Sequence, residues 1–171
     1  MKLIASRCRR TSAVPVISLT ALLLAVPQVA LAESGTFEAI TSFTTHYITF
    51  EHGDETVIGG PIDGTQTISA SSGGPFTVGD SRTFECLVFV KKTARGIDNE
   101  SPCTSTDSSQ DKMFTLSRRR VGDMDTGGQG KTEIQGGTGK FAGITGICSY
   151  RTTYLPGNRA TSITKCEWQI P

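Results

Sequence analysis

Beyond its first thirty or so residues the chain alternates. Near the C-terminus Cys166, Trp168 and Ile170 share one parity, and Lys165, Glu167 and Gln169 hold the other. A period of two is that of a strand with one face buried. Such stretches predict strands over 36–50, 56–69, 82–92, 103–107, 112–119, 130–135, 141–154 and 159–170. Turn clusters separate them: Glu51-His52-Gly53-Asp54, Ser72-Gly73-Gly74-Pro75, 98–102 and Pro156-Gly157-Asn158. No long segment carries apolar residues at i, i+3 and i+4, so helices are not expected. Eight short strands in one unit predict an all-β fold, a single antiparallel eight-stranded β-barrel with a sandwich as the alternative.

The first 32 residues are set apart from this pattern. Lys2, Arg7, Arg9 and Arg10 precede an apolar run through Leu22, Leu23, Leu24 and Val26, and Ala30-Leu31-Ala32 ends it with small residues. That is the form of a cleavable signal peptide over 1–32, leaving a barrel domain over 33–171. The run is shorter than the roughly 20 residues a membrane span needs and is broken by Pro15 and Pro27, so no permanent membrane anchor is expected. The protein is therefore expected to be exported, to a periplasm or to the medium. Whether the Arg9-Arg10 pair marks a twin-arginine route stays open. Four of the 17 basic and none of the 16 acidic residues lie in the leader, leaving 13 against 16 and a mature charge of −3. That sign gives little attraction for nucleic acid.

The mature chain keeps Cys86, Cys103, Cys148 and Cys166, enough for two disulfides in an oxidising compartment. Residues facing each other across an antiparallel hairpin have a constant sum of positions. Cys148 and Cys166 are centred on Gly157, inside the Pro-Gly-Asn turn, so they should face each other at about 5 Å between Cα atoms, within disulfide reach. Cys86 with Cys103 follows by elimination, although the turn signals between them centre nearer Asp98 than the midpoint that pairing requires. The cysteine face should point inward, carrying Ala142, Ile144, Tyr150 and Tyr154 on one strand and Trp168 and Ile170 on the next. Tyr47, Tyr150 and Trp168 are the candidate ligand-binding wall, because a barrel of about eight strands can enclose one small molecule.

The run GGTGKFAGITG, residues 136–146, is the remaining motif. A phosphate-binding loop needs G-x-x-x-x-G-K-[ST], but Ile134 stands five before Gly139 and Phe141 follows Lys140. Turn and bend geometry is what the glycines supply. The same run, preceded by Asp107-Ser-Ser-Gln-Asp-Lys and a strand, resembles the allene oxide cyclase-like and dirigent-like barrels, which carry a GGTGK[FY] hairpin. The resemblance covers roughly 103–170. It implies a calycin-type eight-stranded barrel with an elongated, largely apolar cavity and no cofactor, in a group where some members cyclise an oxidised lipid and others orient phenolic radicals. The expected function is binding of a small apolar or aromatic ligand in the interior. The alternatives are a cofactor-free isomerase or cyclase, with no catalytic residue assigned, and an envelope interaction module with a filled core.

Other chemistry adds little. Asp123-x-Asp125 lacks the Glu that closes a calcium loop, Ile134 standing in its place. His46 and His52 have no third ligand, so no metal is expected. Glu85 and Glu133 would become proton donors only if they faced inward. Arg118-Arg119-Arg120 fits a solvated strand end better than an anion site. Asn99-Glu100-Ser101 matches the glycosylation triplet, with Pro102 following.

Overall fold

The computed structural model describes residues 32–120, 122 and 124–171; the leader assigned to 1–32 lies outside them except for Ala32. Nine strands follow in chain order: β1 (Glu33–Thr45), β2 (Ile48–His52), β3 (Glu55–Ser71), β4 (Ser81–Thr93), β5 (Gly96–Thr106), β6 (Lys112–Arg119), β7 (Gly127–Gly137), β8 (Thr145–Leu155) and β9 (Arg159–Ile170). Each pairs antiparallel with its neighbours in the order β1-β9-β8-β7-β6-β5-β4-β3-β2, and β1 also pairs with β3. That last pairing closes eight of the nine strands into a barrel, with β2 as an extra strand on β3.

Three larger departures from the predicted strands each have a local reason. The stretch 36–50 is one run of alternation but two strands, β1 and β2, interrupted at His46-Tyr47. There the His46 carbonyl presses onto Gly60, whose positive φ of 150° and lack of Cβ let the two backbones cross. β2 then continues along β3 beyond the barrel wall, with every side chain exposed.

The cluster 98–102 is not a turn. It lies inside β5, and the β4–β5 hairpin turns at Ala94-Arg95, so Cys86 and Cys103 fall in register. Pro102 misled the pattern because it has no N–H to donate. It costs a ladder step, since the β4–β5 pairs run from Cys86↔Cys103 to Phe89↔Glu100 without Leu87 and Val88. Lastly, β8 begins at Thr145. Gly139–Phe141 form a short 3₁₀ turn that leaves Ala142 exposed and buries Phe141 completely.

The β8–β9 register is as the hairpin arithmetic requires, with Cys148 opposite Cys166 and Leu155 opposite Arg159 around Gly157. Both disulfides form, Cys148–Cys166 and Cys86–Cys103. In the strand order the two bridged hairpins stand on opposite walls.

The interior holds two apolar clusters with a polar belt between them. One cluster gathers Phe37, Ile68, Phe76, Met113, Ile134, Phe141, Ile144 and Trp168. The other gathers Phe43, Ile62, Val88, Val90, Ile97 and Ala160, with Tyr47, Phe84, Met124 and Tyr154 packed against it. Thr41, Gln66, Asn99, Ser101, Ser105, Thr132 and Ser162 are buried polar residues facing the lumen.

The first cluster seals its end of the barrel. Phe76, from the β3–β4 loop, stacks on Phe37 at 3.9 Å and meets Phe141 and Trp168 at 5.6 and 5.7 Å. Gly139 makes this closure possible: it sits at φ 55°, and a Cβ there would lie 1.7 Å from an Asp111 carboxylate oxygen. Lys140 then reaches Asp107 of the β5–β6 loop at 2.8 Å. The glycine run serves turn geometry and close backbone approach, as the sequence suggests.

Candidate functional site

Between the clusters the barrel is not filled. A cavity of about 90 Å³ remains, lined by the polar belt, by the four disulfide-bonded cysteines, by Phe43 and Phe84, and at one end by Tyr47, Tyr150, Tyr154 and Arg119. It has room for several waters, since one needs on the order of 10–15 Å³ by this measure, but less than the roughly 150 Å³ that admits benzene in an engineered protein cavity. A ligand with a ring must therefore place part of itself among the tyrosines, which keep partial exposure.

Alternation along β6 puts Met113, Thr115, Ser117 and Arg119 inside. Arg119 is 2 % exposed and, among the described residues, is the one charged side chain lining the cavity. Its Nη2 donates to the Met124 sulfur at 3.0 Å, and its guanidinium lies 5.9 Å from the centre of the Tyr154 ring. Nε and Nη1 have no hydrogen-bond partner. Its neighbours in sequence point outward: Arg118 pairs with Glu100 at 3.0 Å and Glu133 at 3.6 Å, and Arg120 pairs with Asp98. The basic run is thus a solvated strand end at two positions and a buried cation at the third. The parity shared with Met113 is the signal that marks Arg119.

Burial pushes the Tyr47 hydroxyl far above the ordinary tyrosine range, helped by the neighbouring Tyr154 and opposed by Arg119. Tyr150 is pushed up to about 12, again by burial first, with Arg119 working against the shift. Both phenols stay protonated at neutral pH and act as O–H donors. The belt supplies further groups. Gln66 Nε2 donates to Thr41 Oγ1 at 3.2 Å, the Ser117 and Thr132 hydroxyls are bonded at 2.7 Å, and Ser101 donates to Asn99 Oδ1 at 2.9 Å. Gln66 Oε1 and Ser105 Oγ stay unpartnered.

Of the three wall residues named from the sequence, the structure brings Tyr47 and Tyr150 to one end of the cavity and takes Trp168 away. Trp168 faces inward, 3 % exposed, but belongs to the sealing cluster and does not line the cavity. Parity gives the side of the wall and not the height along the axis, which is why these residues separate. Tyr154 and Arg119 take the place assigned to Trp168. Glu85 and Glu133 point outward, and His46 lies outside, 2.9 Å from Asp63. Asn99 faces the lumen, out of reach of a glycosylating enzyme in the folded barrel. Asp123 lies outside the described residues.

No protein-family model and no curated protein matches the chain. Among solved structures, a pterocarpan synthase dirigent protein superposes with a TM-score of 0.53 at 13 % identity, covering 82 % of this chain and 93 % of that one. Identity at that level speaks for the fold alone. With an eight-stranded antiparallel wall closed by β1 on β3 and a glycine hairpin sealing one end, the chain folds as a dirigent-like barrel.

Proposed function

We propose that the protein is an exported binding protein that holds one small aromatic molecule at the tyrosine end of its lumen. The observation that carries the proposal is the unfilled cavity between the two apolar clusters, bounded at one end by Tyr47, Tyr150, Tyr154 and Arg119. Closing a barrel around buried hydroxyls and a guanidinium costs stability unless those groups find partners. A ligand or ordered water supplies them. The three rings offer apolar and edge-to-face contacts, and the phenol O–H groups offer orientation. Export is supported by the two disulfides and by the leader-like first 32 residues.

The test is native mass spectrometry of protein purified from its own source, followed by titration of the delipidated barrel with small aromatics while tyrosine ring resonances are observed. A retained mass, or saturable shifts of Tyr47 and Tyr150, is the expected result. A bare polypeptide mass, together with tyrosine signals unmoved by every aromatic tried, would sink the proposal.

A further inference from the structure

We propose that the ligand is a small monocarboxylate, an aromatic or short-chain acid whose carboxylate pairs with Arg119 inside the barrel. The inference rests on the binding function above and names the chemistry of what is bound. A guanidinium buried without a counter-charge carries a desolvation cost that only a partner offsets. Among the described residues no carboxylate lies within ion-pair distance of Arg119, and no acidic side chain lines the cavity. Among the described residues the lumen therefore carries a cation with no anion beside it.

The donors are arranged for a carboxylate. Among the described residues Nε and Nη1 are unpartnered, and Nη2 is held by the Met124 thioether. A thioether is a weak acceptor that a carboxylate oxygen displaces. Nη2 then completes a fork with either free nitrogen, the geometry in which arginine binds a carboxylate bidentately. The phenol O–H groups of Tyr47 and Tyr150, kept protonated by burial, add donors and no competing negative charge. A single cation favours a monoanion over a dianionic phosphate. The volume of about 90 Å³ sets the size. It takes a carboxylate head, while the rest of the molecule lies among the tyrosine rings, so multi-ring acids do not fit without movement of the wall.

The experiment compares benzoate with benzamide, a neutral molecule of the same shape, by calorimetry and tyrosine-ring shifts on the full mature barrel. Benzoate is expected to bind at least tenfold more tightly. Arg119→Met is expected to abolish that preference, and Arg119→Lys to recover part of it. Because the benzoate–benzamide ratio is measured on the unaltered protein, the result stands even if an Arg119 variant folds poorly. Equal affinity for the two probes overturns the carboxylate assignment and leaves aromatic binding intact. Absence of binding by either probe overturns the carboxylate assignment, and overturns the binding function as well when the purified protein also shows a bare mass and no aromatic moves the tyrosine signals.

Discussion

Removing the Cys148–Cys166 bridge should lower the melting temperature of the barrel over 33–171 by about 10 °C. The bridge links directly paired residues of β8 and β9 at a sequence separation of 18, so reopening it restores the freedom of a short loop to the unfolded chain. The chain-entropy relation gives about 3 kcal/mol for a loop of that size. A domain of 139 residues has an unfolding entropy of about 0.3 kcal/mol/K, which converts the loss into the stated shift. The variant is Cys148→Ala with Cys166→Ala, alanine being chosen so that no hydroxyl is buried where the sulfurs are 2 % and 4 % exposed. Scanning calorimetry reads the midpoint. The Cys86–Cys103 bridge, at a separation of 17 on the opposite wall, should give a similar loss. Removing both should cost about 6 kcal/mol, within the roughly 5–15 kcal/mol that a whole domain possesses. A midpoint within about 2 °C of the parent for Cys148→Ala/Cys166→Ala would show that the bridge does not restrain the unfolded chain, and the entropic account would fail.

Four other outcomes are expected. Phe141→Ala should cost about 3–5 kcal/mol by denaturant titration, because a completely buried ring between Phe76 and Arg82 is removed from the sealing cluster; a loss under 1 kcal/mol would mean that end is loosely packed. Gly139→Ala should cost about 2 kcal/mol, combining the positive-φ penalty with displacement of Asp111, whose carboxylate accepts from the Lys140 N–H at 3.2 Å. Arg82→Met should be neutral or stabilising in thermal melts, since all three Arg82 side-chain nitrogens are buried unpartnered over the Phe76 and Phe141 rings; a loss above about 2 kcal/mol would show the cation–π contacts outweigh desolvation. Tyr150 is raised in the folded state, so its contribution is fully present below about pH 10 and is lost as pH rises towards about 12. Tyr150→Phe should therefore flatten the alkaline stability curve in that window, and an unchanged curve would contradict the burial of its hydroxyl.

The parts of the fold legible beforehand are those governed by local rules. Period-two alternation located the strands, and the Pro156-Gly157-Asn158 turn set a register that brought Cys148 to Cys166. The glycine run over 136–146 fails the phosphate-loop spacing and behaves as turn chemistry. Pro102 and Phe141 were placed wrongly because a missing N–H and a short 3₁₀ turn look, in one dimension, like a turn and a strand. Arg119 is hard to single out because a run of three arginines suggests solvent, although its parity with Met113 points inward.

Alternation alone thus determined which side of a wall each residue takes, since successive side chains on a strand must point to opposite faces. Position along the barrel axis was decided only by the tertiary structure, because it depends on how eight tilted strands are staggered when β1 closes on β3. That stagger sends Trp168 to the sealed end and Tyr47, Tyr150, Tyr154 and Arg119 together to the other. The cavity exists because residues far apart in sequence are placed at one height around the lumen.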